Sequence, residues 1–199
     1  MRKLFVAVVG LTCLLALIGS AVAAPRISVA EDPAGDAILD ASGYMDIVEA
    51  SVEKKGNAFE FRTTLAEPIP ANPQLPPTCQ QILWSMGIDT DLTTNPIGYP
   101  AAPGLALQAE FVVSVVWDGI AFHGILVDRR PLLNGKEAVI TPRPFTFTSI
   151  GVQMVVGAGE LANPTSFVWD PTVLCWSAPP GSFGVHFIDF TDPFWNPSP

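Results

Sequence analysis

The chain has 199 residues, with 10 Lys and Arg against 19 Asp and Glu, for a net charge of −9. That balance argues against nucleic acid or an anionic membrane surface as a partner. The length suits one domain.

Arg2 and Lys3 precede an apolar run from Leu4 to Ile18, and Gly19-Ser20-Ala21-Val22-Ala23 supplies small residues behind it. This is the layout of a secretory signal peptide, with cleavage expected after Ala23. The apolar run is shorter than the ~20 residues a membrane-spanning helix needs. Removing the first 23 of 199 residues leaves a single expected domain, 24–199, of 176 residues. Arg2 and Lys3 leave with the leader, so the charge moves from −9 to −11. No later run approaches spanning length, so the mature protein is expected outside the cytoplasm, secreted or periplasmic, with no membrane span. Cys13 is lost as well, leaving Cys79 and Cys175. An even pair in an exported chain predicts one disulfide.

Taken in order, Glu31 to Asp36 is turn chemistry, with Pro33 and Gly35 punctuating acidic residues. Tyr44 to Glu53 alternates, placing Val48, Ala50 and Val52 on one face. A four-residue loop, Lys54 to Asn57, would pair Val52 with Phe59 and Glu49 with Arg62. A two-residue Gly56-Asn57 turn would instead set Glu53 against Glu60, so the longer loop is expected. Five prolines between Glu67 and Thr78 predict an ordered loop rather than a strand. Ile82, Trp84, Met86 and Ile88 then form one apolar strand face.

Asp118-Gly119 is the clearest hairpin signal. As a two-residue turn it would pair Trp117 with Ile120, Val115 with Phe122 and Phe111 with Leu126, all on the core face. Further strands are expected at Phe145 to Phe147, Ile150 to Val156, Val173 to Ser177 and Phe183 to Phe190, with a single helical turn near Gly159 to Pro164. No apolar period of 3.6 persists outside the leader. Many short strands with Gly, Pro and Asp between them predict an all-β fold, an antiparallel two-sheet β-sandwich of jelly-roll-like form.

Several short motifs occur in a telling order: the D-x-x-G-D turn at Asp32 to Asp36, Asp46-Ile47, Ile88-Asp89-Thr90-Asp91, Ala109-Glu110-Phe111 and the acidic closing strand Phe187 to Pro193. In that order and spacing the chain resembles DOMON-like and family 9 carbohydrate-binding-module-like secreted β-sandwiches, from Ile27 to Pro193. The resemblance implies a jelly-roll-like sandwich that binds sugars, haem or calcium, or serves as an accessory module.

Candidate sites follow from residue type. Asp89, Asp91, Thr93 and Asn95 offer oxygen ligands at every second position, which suits calcium. Thr94 and Pro100 stand where an EF-hand needs glycine and glutamate, so this is not that loop. Asp32, Asp36 and Asp46 form a second calcium candidate, supported mainly by the resemblance. Of the five tryptophans, Trp84, Trp117 and Trp176 read as core, while Trp169 and Trp195 lie near loops and are the candidates to stack on a sugar. No G-x-S-x-G, P-loop or C-x-x-C motif is present. The expected function is a secreted, non-enzymatic β-sandwich module of binding or structural role, with calcium as the one possible cofactor and a glycan or another extracellular protein as partner. A carbohydrate-binding protein is the first alternative. A glycoside-processing enzyme using two of Glu31, Asp118, Asp128, Asp189 and Asp192 is the second.

Overall fold

The computed structural model describes residues 27–37, 41–77, 79–90, 109–176, 185–190 and 196–199. The expected leader, Asp91 to Asn95 and Trp195 lie outside them. The strands are β1 (Ile27–Glu31), β2 (Ile47–Lys55), β3 (Ala58–Leu65), β4 (Gln81–Asp89), β5 (Phe111–Trp117) and β6 (Phe122–Asp128). They continue with β7 (Val139–Pro142), β8 (Phe145–Thr148), β9 (Gly151–Gly157), β10 (Val168–Trp176), β11 (Val185–Phe190) and β12 (Asn196–Pro197). Among the described residues the only helical segments are short 3-10 turns at Gly43–Met45, Arg130–Asn134 and Ala158–Leu161.

Two antiparallel sheets result. One runs β1-β2-β3-β9-β8, and the other β11-β10-β4-β5-β6-β7 with β12 beside β10. The expected all-β sandwich is the fold found. Its core lies where the two inner faces meet. Ala50, Val52, Phe59 and Phe61 from the first sheet pack towards Ile82, Trp84, Val113 and Val115 from the second. The two buried indoles on this face each find a main-chain acceptor. Trp84 Nε1 donates to the Tyr44 carbonyl at 2.8 Å, and Trp117 Nε1 to the Pro73 carbonyl at 3.1 Å. A buried N–H left unpaired would be costly, so the proline-rich loop is ordered partly because it supplies one of these acceptors.

Both hairpin registers differ from the sequence expectation, for physical reasons. At the first, the two-residue Gly56-Asn57 turn forms after all, pairing Lys55 with Ala58, Glu53 with Glu60 and Val52 with Phe61. Gly56 takes φ 62°, which the tight turn requires. The Glu53–Glu60 juxtaposition is tolerated because Lys55 Nζ lies 3.4 Å from Glu53 and 2.6 Å from Glu60. Arg62 reaches Glu60 at 3.0 Å, and Gln153 Nε2 donates to it at 2.8 Å. The opposed carboxylates are therefore the centre of a network of donors.

At the second hairpin the loop is longer than expected. Trp117 pairs with Phe122 and Val115 with Gly124, leaving Asp118 to Ala121 as a four-residue loop. The Asp118 side chain builds it: Oδ1 accepts the Ile120 and Ala121 N–H groups, each at 2.8 Å. Ile120, expected in the core, is 87% exposed at the tip. The slip is two residues, an even number, so every strand residue keeps its face. Phe111, Val115, Trp117 and Leu126 are buried as expected, and Val113 with them.

β10 begins five residues earlier than the expected strand and includes Pro171. Proline lacks an amide proton, and Pro171 falls where β10 has no second neighbour: β12 pairs with Val168 and Trp169, and β11 with Thr172 to Trp176. The expected disulfide is present, with Cys79 and Cys175 Cα atoms 5.4 Å apart. It joins the chain just before β4 to the end of β10, beside the Gln80 N–H donated to the Trp176 carbonyl at 2.7 Å.

Two β-bulges complete the frame. In β2, Ile47 pairs with Leu65 and Glu49 with Thr64, so Val48 is the extra residue. Ile47 thereby turns into the core and Val48, expected there, is only half-buried. In β11, Asp189 pairs with Val173 and Phe187 with Leu174, so Ile188 is the extra residue. Bulges re-aim side chains and occur beside functional sites.

Candidate metal centre

The edge strands β1 and β11 lie on the same side of the sandwich. Trp169 Nε1, from β10, donates to Ser28 Oγ of β1 at 3.1 Å. The Ile47 N–H of β2 donates to Asp189 Oδ2 of β11 in a short hydrogen bond. At this junction the Asp32–Asp36 turn follows β1 and is pinned to β2 by the Asp32 N–H, donated to the Val48 carbonyl at 3.1 Å.

Carboxylates converge here. Asp32, Asp36 and Asp189 each offer an oxygen, and these oxygens lie within 4.8 Å of one another. Asp46 bonds to the same turn: its Oδ2 accepts the N–H of Gly35, one residue before Asp36, at 2.7 Å. Asp46 is only 5% exposed, yet its Oδ1 is buried with no hydrogen-bond partner. Both bulges flank the cluster, Val48 beside Asp46 and Ile47, and Ile188 beside Asp189.

The donor set decides what would fit. It is all oxygen, without histidine or thiolate, which suits a hard cation rather than zinc. Calcium–oxygen distances of ~2.3–2.6 Å allow two ligands of one ion to be up to about 5 Å apart, so the cluster is within reach of a single calcium. Two ionised carboxylates 4.8 Å apart repel by on the order of 3 kcal/mol at an effective dielectric of ~20, less where solvent screens Asp36. A divalent ion would turn that repulsion into attraction.

Of the residues expected from sequence, Asp32 and Asp36 are thus brought together, while Asp46 holds their turn through the Gly35 N–H and is not itself one of the grouped carboxylates. Asp189, there considered only for catalysis, joins them. A carboxylate at an inward-facing position between Ile188 and Phe190 is the signal that could have found it, because charge is seldom buried without a partner. Asp89 ends β4 opposite Val168 and is not part of the cluster. The other ligands of its loop, Asp91, Thr93 and Asn95, are outside the described residues. The chain leaving Asp89 is held by Glu110 Oε2, which accepts the Thr90 N–H at 2.5 Å and hydroxyl at 2.8 Å.

The sugar-stacking expectation for Trp169 is overturned. Its exposure is 0%, because β10 extends through it and places it on the inner face. Two carboxylates considered for glycoside chemistry are structural. Asp118 caps its own turn, and the Ala121 and Ile120 amides hold it below the usual carboxylate range, with His123 Nε2 2.9 Å away. Asp128 is lowered by its hydrogen bonds from Arg130.

Asp170 differs from these. It is 1% exposed on the outward face of β10, and its Oδ1 has no hydrogen-bond partner. Burial pushes its carboxyl up to about 8, so it is mainly protonated at neutral pH.

No family model, curated protein or solved structure matches the chain. Among the described residues no helix is long and apolar enough to cross a membrane.

Proposed function

We propose that this protein is an exported β-sandwich module that acts by binding or as a structural unit rather than by catalysis, of the DOMON-like or family 9 carbohydrate-binding-module-like kind. One calcium ion clamps the Asp32–Asp36 turn to β11. The observation that carries the calcium reading is the convergence of Asp32, Asp36 and Asp189 around a turn whose Gly35 holds Asp46, with one Asp46 oxygen buried and unpartnered. The disulfide supports export, since such bonds persist in oxidising compartments. The turn and ion-pair duties of Asp118 and Asp128 support a non-catalytic role.

The test is a thermal melt of the mature protein in EGTA and in millimolar calcium. Calcium at a hundredfold excess over its Kd should add ~2.7 kcal/mol, roughly 5–11 °C for a domain of this size. Asp32→Ala/Asp36→Ala should abolish the shift, and Asp89→Ala/Asp91→Ala should preserve it. Identical wild-type curves in the two buffers would remove calcium from the account. Product release from a glycan panel would overturn the non-catalytic reading.

A further inference from the structure

We infer that Asn134 is a modification site, the asparagine at which this chain deamidates by attack of its own backbone. The step needs only water. The Gly135 nitrogen bonds to the Asn134 side-chain carbonyl carbon, the C–N bond of the side-chain amide breaks, and ammonia leaves with the proton that Gly135 gives up. The five-membered succinimide that results is opened by water at one of its two carbonyls, giving aspartate or isoaspartate.

Ring closure needs a side chain open to water, a following residue with no Cβ to crowd it, and a main-chain nitrogen that can be freed. Asn134 meets all three conditions. It ends the 3-10 turn Arg130–Asn134, and both it and Gly135 are exposed. Gly135 brings no Cβ to the ring. Its N–H donates to the Leu132 and Pro131 carbonyls, the former at 3.0 Å, and must leave them before attack. That opening is local and costs little, because no residue of the turn is buried and Leu133 is 62% exposed.

The remaining asparagines each lack a condition. Asn72, Asn95, Asn163 and Asn196 all precede proline, which has no N–H to give up. Asn57 is exposed like Asn134, but Ala58 follows it with a Cβ. Ala58 is also held in the first sheet between Lys55 of β2 and Gly157 of β9, so freeing its nitrogen means opening a strand. Asp118-Gly119 has the same spacing and can close the same ring only through its carboxyl. The Ala121 and Ile120 amides hold that carboxyl below the usual range, and an ionised carboxylate resists attack.

The experiment is to age the mature, disulfide-bonded protein in mildly alkaline buffer and to digest samples at low pH. Peptide mass spectrometry with electron-transfer fragmentation then locates each converted residue and separates isoaspartate from aspartate. The peptide holding Asn134 should convert at least tenfold faster than any other, with an acidic variant of the intact protein growing at the same rate. Asn134→Gln should remove that variant and leave the melting temperature unchanged, since the side chain is exposed. Conversion at Asn57 as fast as at Asn134 would overturn the inference. So would isoaspartate at Asp118 with Asn134 intact, or an acidic variant that persists in Asn134→Gln.

Discussion

Reduction of Cys79–Cys175 separates residues 96 apart in sequence, and the size of the effect can be worked out. In the chain-entropy model a loop of about that length restricts the unfolded ensemble by ~4.7 kcal/mol at 25 °C. Little of this should be offset in the native state. β4 and β10 are already registered along nine residue pairs, from Val168–Asp89 to Trp176–Gln81. The Gln80–Trp176 hydrogen bond beside the bridge needs no thiol chemistry. The reduced protein should therefore keep its fold and lose stability, with a melting temperature lower by roughly 9–19 °C. Urea titrations followed by tryptophan fluorescence, with and without a phosphine reductant, measure this, and intact mass verifies reduction. The midpoint should fall and the m-value should rise, because the reduced unfolded chain exposes more surface. Cys79→Ala/Cys175→Ala should behave like the reduced wild type. An unchanged midpoint after verified reduction would refute the reasoning.

Asp170 gives a pH prediction. Its folded-state pKa, about 8, lies above the ordinary aspartate value of 3.8 because the carboxyl is buried. The native state therefore holds a proton that the unfolded state releases between those values. Stability from this group is full below pH 3.8 and is lost as pH rises towards 8, by at most ~1.4 kcal/mol per unit. Asp170→Asn should flatten that decline and exceed the wild type in stability above pH 8, and parallel stability curves from pH 4 to 9 would contradict it. Gly119, at φ 89°, sits in a conformation a β-branched residue rarely adopts, and an added Cβ would meet Leu75 Cδ1 at 3.3 Å. Gly119→Val should cost ~1–3 kcal/mol in urea unfolding and clearly more than Ala121→Val, whereas equal costs would mean the turn is not the constraint. Lys55→Met should lower the melting temperature at low salt, because Glu53 and Glu60 lose their shared cation, and the loss should shrink in 0.5 M salt. A salt-independent loss would point to packing instead.

Much of the fold was legible because the inner faces alternate cleanly. Ile82, Trp84, Met86 and Ile88 declare one face of β4, and Phe111 to Trp117 one face of β5. Registers were harder to read, because they depend on side chains that act across the turn. Asp118 lengthens one loop by accepting two backbone amides, and Lys55 shortens the other by neutralising a glutamate pair. Neither effect is visible in residue alternation. The strand expected from Val173 misses the first five residues of β10, where Pro171 occupies the gap between β11 and β12. The D-x-x-G-D turn announced two of the three clustered carboxylates. The third, Asp189, lies 153 residues beyond Asp36 and follows a bulge, which alternation alone does not reveal.

The central claim is that one cation sits where the Asp32–Asp36 turn, Asp46 and β11 meet. Crystals of the mature protein grown in calcium, with diffraction collected at a long wavelength where calcium scatters anomalously, test it most directly. The account predicts an anomalous peak in contact with carboxylate oxygens of Asp32, Asp36 and Asp189. No peak at that position, or a single peak at the Asp89 to Asn95 loop, would contradict it.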